Sequence, residues 1–259
     1  MNQGSATSGR EPLVLARHEG PVARLTLNDP ARANVLSLAM MDALQQAIDL
    51  AAAEEAVRVI VLAAAGKVFC AGHDLDELQA AAEAGEAQAL FDRCSMLMMA
   101  IGACRNPVIA RVQGAAVAAG CQLVASCDLA YAVDTVRFAV SGVNLGLFCS
   151  TPGVALTRAI PRKAATQMLL TGEFINAARA AELGLINAAV PDGELDAHIE
   201  RVAASICAKP PEAIALGKDC LRRQVEAPLR DAYAVASAAM AANLGFASAR
   251  EGISAFLKR

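Results

Sequence analysis

The sequence carries no excess of basic charge: 23 lysines and arginines stand against 26 acids, a net charge of −3. No cationic surface for nucleic acid or for a membrane is advertised. The eight cysteines form no C-x-x-C pair and are scattered in spacing. They read neither as a zinc site nor as a disulfide framework, and no metal is expected. Cys70, Cys104, Cys121 and Cys127 lie in apolar surroundings and read as reduced core residues. That fits a reducing compartment, and a cytoplasmic protein is expected. No uninterrupted apolar run reaches membrane-spanning length. Residues 1–10 are polar, rich in Gly and Ser, without an apolar signal core, and read as a disordered tail.

What the chain does have is apolar bulk. Hydrophobic residues make up 56% of 259 positions, enough for a sizeable core and a buried oligomer interface. Residues 13–17 and 22–27 alternate apolar and polar around Glu19-Gly20-Pro21, a hairpin pattern. Ser37 can cap a helix whose Met40, Met41, Leu44, Ile48 and Ala51 recur at helical spacing. Residues 57–62, 108–112 and 129–133 read as strands, and 75–103 as helix broken near Gly85. Helices are expected over 152–160, 162–170 and 177–183, the last ended by Gly184, and Val190-Pro191 closes a strand. From 194 onward the pattern is helical: 194–208, 211–226 and 228–244.

Alternating strands and helices indicate an α/β class. The change to continuous helix near residue 195 is the best boundary, giving 11–194 and 195–259. Ala232, Tyr233, Val235, Ala236, Met240 and Leu244 put apolar groups on several faces of the 228–244 helix. Such a helix is buried against a partner subunit or against its own core.

The densest local signal is Arg111-Val-Gln-Gly-Ala-Ala-Val-Ala-Ala-Gly-Cys-Gln-Leu-Val-Ala-Ser-Cys-Asp128. A β-type run ends at Gly114, small residues follow, and a helix-like apolar run begins at Cys121. The first N–H groups of a helix have no partner within it and sit at the positive end of its dipole. A developing oxyanion can bind there without lysine or metal. The same stretch also reads as a plain strand-to-helix turn packed with Ala and Gly.

A second stretch, Phe69-Cys-Ala-Gly-His-Asp-Leu75, decides between these readings. It matches the F-x-A-G-x-D-L segment of the crotonase family, the enoyl-CoA hydratase and isomerase relatives. Gly114-Ala-Ala-Val-Ala-Ala-Gly-Cys-Gln-Leu123 with Cys127-Asp128 resembles that family's G-x-x-x-G-G-G-x-x-L and C-D, with Ala118 and Ala119 in place of two glycines. Leu27-Asn-Asp-Pro-Ala-Arg-Ala-Asn-Val-Leu36 resembles its L-N-x-P-x-x-x-N-x-L. The likeness runs from about residue 22 to 256.

The resemblance implies a crotonase-like spiral of ββα repeats and a C-terminal helical region that builds homotrimers, often paired into hexamers. It implies an acyl-CoA substrate whose thioester oxygen is gripped by two backbone N–H groups, here of His73 and Ala119. Such donors are worth roughly 2.7–4 kcal/mol each. No cofactor is implied, since coenzyme A belongs to the substrate. Carried over by position, Arg32 would meet the CoA phosphates. Phe256 and Lys258 would touch CoA on a neighbouring subunit, in a tail one residue shorter than the family's. Ala71, Asp74, Leu75 and Asn144 complete the expected substrate-binding set. Arg32 and Lys258 read equally as solvated charges, and Phe256 as C-terminal packing.

The departure from the family lies in its two acid/base glutamates. Those positions fall at Gln122 and Gly142. Glutamine hydrogen-bonds but exchanges no proton at neutral pH, and glycine has no side chain. Each positioned acid/base is worth about 10²–10⁴-fold, so ordinary hydration should nearly vanish. Whether the chain is an enzyme stays open: weak or altered lyase or isomerase chemistry stands beside non-catalytic or regulatory acyl-CoA binding. His73 is the replacement base by residue type, although its side chain can equally point into packing or solvent. Asp74, Asp76 and Glu77 sit where acids cap a helix. Cys149 and Ser150 have no base adjacent by spacing. The run from Cys121 to Asp128, with Asn144-Leu-Gly-Leu-Phe-Cys-Ser-Thr-Pro-Gly-Val-Ala-Leu156, is similar to a subgroup of enoyl-CoA hydratase domain-containing proteins, mitochondrial in animals, that lack both glutamates.

Overall fold

Asn34 ties the front of the fold together. It is fully buried and left-handed (φ 52°). Its side-chain amide donates to Ala65 O at 2.9 Å and Val68 O at 2.8 Å, while its Oδ1 accepts from the Asp29 N–H at 2.9 Å. Asparagine tolerates this backbone, and its side chain supplies the bonds that the turn's main chain lacks.

The computed structural model describes residues 11–258. The disordered tail expected for residues 1–10 lies outside the described residues. The strands are β1 (Val14–Glu19), β2 (Val22–Leu27), β3 (Val59–Ala64), β4 (Val68–Cys70), β5 (Val108–Val112), β6 (Ala115–Val117), β7 (Leu129–Val133), β8 (Arg137–Ala139), β9 (Ile175–Asn176) and β10 (Ala188–Val190). The α-helices are α1 (Leu38–Ala53), α2 (Leu75–Ala84), α3 (Ala87–Ala103), α4 (Ala119–Ser126), α5 (Ser150–Ala159), α6 (Arg162–Thr171), α7 (Ala177–Leu183), α8 (Leu195–Cys207), α9 (Pro211–Gln224), α10 (Leu229–Leu244) and α11 (Ala247–Leu257). Short 3₁₀ segments cover Pro30–Arg32 and Ser141–Leu145.

One sheet runs β1-β2-β3-β5-β7-β10, antiparallel only at the β1–β2 hairpin. A smaller one runs β4-β6-β8-β9. The fold is therefore α/β, with continuous helix from Leu195 onward. All six residues of β3 are buried, as expected for a central strand covered on both faces. Ser37 caps α1 by accepting the Met40 N–H at 3.1 Å. The buried residues of α1 are Met40, Met41, Leu44, Ile48 and Ala51, matching the periodic set.

The structure corrects several sequence boundaries. Small residues expected as a turn after Gly114 form strand β6, and α4 starts two residues before Cys121. Strands of two or three residues (β4, β6, β8, β9) show too little alternation to be read from a single sequence. Helix α11 also went unread.

Charged pairs fasten the helices to the large sheet. Asp196 on α8 accepts a bidentate pair from Arg111 on β5 (2.8 and 2.7 Å) and one bond from Arg24 on β2 (3.1 Å). Lys218 on α9 donates to Asp128 Oδ2 (2.5 Å), Asn106 O (3.0 Å) and Ile101 O (3.1 Å).

The Arg111 hydrogen bonds, aided by Arg24, hold the Asp196 carboxyl at about 2 against an ordinary 3.8. A carboxyl depressed in the folded state adds stability above its unfolded pKa and loses it as pH falls through the folded one. Urea midpoints are expected to drop as pH falls from about 4 to about 2. Asp196→Asn should be less stable at pH 7 and show a shallower decline through that window. A variant as acid-sensitive as the parent would contradict this assignment.

Candidate functional site

A cavity of about 670 Å³ opens between α2, α3, the start of α4 and the 3₁₀ segment. That is within the size range of small-molecule sites. Its wall is mostly apolar, with Leu75 and Leu78 from α2, Phe91 from α3, and Leu145, Leu147 and Phe148 from the following loop.

Two main-chain turns meet at its floor. The first runs from β4 through Ala71, Gly72 and His73 into α2. It is held to the segment before α1 by Ala71 N–H to Ala33 O (3.1 Å) and Leu36 N–H to Gly72 O (2.7 Å). The second is the single residue Ala118 between β6 and α4, whose N–H donates to Ala139 O at 2.8 Å. A Cβ placed on Gly72 would lie 3.0 Å from Ala118 Cβ and 3.4 Å from Ala119 N. A Cβ on Gly120 would lie 2.2 Å from Cys70 O, so only glycine lets β4 pass this close to α4. Among the described residues, neither the His73 N–H nor the Ala119 N–H makes a hydrogen bond. Ala71, His73, Ala118 and Ala119 all line the cavity.

The His73 ring offers no exposed nitrogen for the role of base considered above. Both ring nitrogens are buried without a hydrogen-bond partner. The ring meets Phe91 edge-on, centroids 5.7 Å apart. Burial pushes its pKa down; the nearby Leu36 main chain opposes that shift but makes no well-formed bond to the ring. His73 is a neutral ring whose nitrogens are closed to the cavity.

Asp74 caps α2 through the Asp76 N–H (3.1 Å) and pairs with Arg32, so it holds structure beside the wall. Arg32 keeps 44% of its side chain exposed. Leu75 lines the cavity. Asn144 does not: a Cβ on Gly172 would meet its Nδ2 at 2.9 Å, which places the amide against that turn. From the 3₁₀ segment Ser141, Gly142 and Leu145 take the cavity side. Phe256 and Lys258 lie exposed at the end of α11, away from this wall.

Gln122 is buried behind the wall with its Oε1 unpartnered. Gly142 lies on the wall and donates its N–H to Cys149 Sγ at 3.3 Å. A Cβ at Gly142 would meet Leu147 O at 2.4 Å and Cys149 Sγ at 2.8 Å, so no larger residue fits without moving the main chain. Burial pushes the Cys149 thiol up, against the Gly142 hydrogen bond, which leaves it un-ionised.

One group was missed by sequence reasoning. Gln88, Asp92 and Ser95 lie at i, i+4 and i+7 of α3 and line the cavity. The Gln88 Nε2 donates to Asp92 Oδ1 at 2.8 Å. Their signal was a polar stripe opposite the buried Leu90, Cys94, Leu97 and Ile101, which a solvated helix face mimics.

A family model described as enoyl-CoA hydratase/isomerase matches residues 17–259. The chain belongs to that family. Mitochondrial enoyl-CoA hydratase domain-containing protein 3 of Mus musculus is 46% identical over 257 residues, covering 99% of this chain and 86% of its own length. The crystal structure of an enoyl-CoA hydratase from Mycobacterium smegmatis superposes with a TM-score of 0.93 at 53% identity, covering 96% of this chain and 97% of that one. That of human enoyl coenzyme A hydratase domain-containing protein 3 gives 0.91 at 45% identity, covering 95% and 97%. These relatives bear out the likeness to the hydratase domain-containing subgroup. They also correct the expected cytoplasmic location, since the mouse, rat and human relatives are named mitochondrial. Unpaired cysteines report a reducing medium and carry no address.

For this family member the strained residue is Ala118, not Ala119. Ala119 is the first helical residue of α4, while Ala118 sits at φ 49°, ψ −117°. A Cβ in that region costs on the order of 1–3 kcal/mol, partly offset by the extra unfolded-state freedom of glycine. Ala118→Gly is expected to raise stability by about 1 kcal/mol in urea titrations. An unchanged or lowered midpoint would show that the turn is unstrained.

Proposed function

We propose that this protein binds an acyl-CoA thioester with its carbonyl oxygen between the His73 and Ala119 amides. The observation that carries the reading is the pair of unengaged N–H groups on one cavity wall, joined through Gly72. Ala119 adds the positive end of α4. The apolar wall suits an acyl chain. Arg32, half-exposed beside Asp74, is the partner for the CoA phosphates.

Chemistry at the site is weak or altered relative to a two-glutamate hydratase. Gln122 can neither give nor take a proton at neutral pH, and Gly142 admits no replacement side chain. This favours a second reading alongside the first: a non-catalytic or regulatory acyl-CoA binder using the same clamp. Self-association into trimers, or dimers of trimers, through residues 195–259 fits the exposed Leu221, Val225, Leu229, Tyr233, Met240 and Leu244.

Calorimetry with butyryl-CoA and with its thioether analogue, which lacks the carbonyl oxygen, tests the clamp. Two hydrogen bonds at about 1 kcal/mol each predict at least tenfold weaker binding of the thioether. Equal affinities would dismiss the clamp. Crotonyl-CoA hydration, followed by loss of the conjugated thioester absorbance, is expected well below about 10 s⁻¹, a usual enzyme rate. Turnover at or above that rate would show that Gln122 and Gly142 do not disable hydration.

A further inference from the structure

The cavity wall holds three side chains of titratable type: His73, Cys149 and Asp92. His73 presents no open nitrogen. The Cys149 thiol is buried and un-ionised. Asp92 differs from both. It is exposed, it is the one carboxylate on this wall among the described residues, and it comes from α3, which does not carry Gln122 or Gly142.

Its direction is fixed by its neighbours in sequence. Leu90 and Cys94 bury the opposite face of α3, and Arg93 is pinned to Asp42 at 2.6 Å. Helix α3 therefore cannot rotate to carry Asp92 off the cavity. The Gln88 amide holds Oδ1 at 2.8 Å and leaves Oδ2 without a partner among the described residues. The pairs Gln45–Asp49 and Gln79–Glu83 have the same form on outer helix faces; what sets Asp92 apart is that its open oxygen belongs to a residue of the cavity wall, where a general base must stand.

Resting on the acyl-CoA reading above, we propose that Asp92 is the catalytic acid/base of this site and transfers protons at carbon next to the thioester. The step balances without a co-reactant. The C–H bond at C-2 (or at C-4 of a 2-enoyl chain) breaks and its proton passes to Asp92 Oδ2. The electron pair moves through C-2 onto the carbonyl oxygen, where the two amides stabilise it. Collapse of the enolate returns a proton from Asp92 to the same or the conjugated carbon. The outcome is exchange or double-bond migration, and neither consumes water.

The test is deuterium wash-in. Butyryl-CoA and crotonyl-CoA are incubated with full-length protein in D₂O and read by mass spectrometry, alongside calorimetric affinity for butyryl-CoA. Wild type is expected to exchange. Asp92→Asn should exchange about 10²-fold more slowly, with affinity within about twofold. Asp92→Ala, which removes the Gln88 partner as well, should fall equally. Exchange by Asp92→Asn at the wild-type rate, or a wild type that binds butyryl-CoA without exchange, overturns the role of Asp92. Failure of wild type to bind any acyl-CoA overturns the acyl-CoA reading itself, and the proton-transfer role falls with it.

Discussion

The site depends on one close approach: the Gly72 turn lying against the first residues of α4. A side chain at Gly72 would be strained by its φ of 102° and tight against Ala118 Cβ, none fits at Gly120 without moving main chain, and the contact brings two segments distant in sequence to one wall. The rest of the front half keeps that contact in register. Asn34 cross-links the turn after β3 to β4, Leu36 holds the Gly72 carbonyl, and β6 runs directly into α4 through Ala118. On the proposed reading the rigidity matters, because donors positioned in advance need no reorganisation when charge develops on a carbonyl oxygen.

On the proposed reading, the same geometry treats the clamp and proton handling differently. A main-chain clamp survives any side-chain change that keeps the backbone path, which is why Ala119 can stand where the resemblance expects glycine. Proton handling has no such tolerance. Gln122 is buried with an orphaned oxygen, and Gly142 is wedged between Leu147 O and Cys149 Sγ. A larger side chain at Gly142 would collide with the Leu147 main chain.

Much of the fold was legible because its signals are long. The α1 stripe, the hairpin and the β3 run repeat their period for six residues or more, and Ser37, Gly85 and Gly184 mark helix ends by backbone chemistry. The meeting of the Gly72 turn with the start of α4 was legible through motifs that glycine sterics make specific. Other features had no local signature. Strands β4, β6, β8 and β9 exist through pairing with distant segments. The strain at Ala118 depends on where α4 starts, which the motif does not give. That Asn144 faces the Gly172 turn and not the cavity depends on the 3₁₀ turn of Ser141–Leu145, which has no sequence signature. Asp92 was not singled out, because in the sequence it is one acid on a polar helix face and its place on the cavity wall follows from the packing of α2 and α4.

A crystal structure with a bound acyl-CoA thioester bears most directly on the clamp. The carbonyl oxygen is expected at about 2.7–3.1 Å from both the His73 and Ala119 nitrogens. A carbonyl out of hydrogen-bond reach of either amide, or a thioester bound outside this cavity, would contradict it.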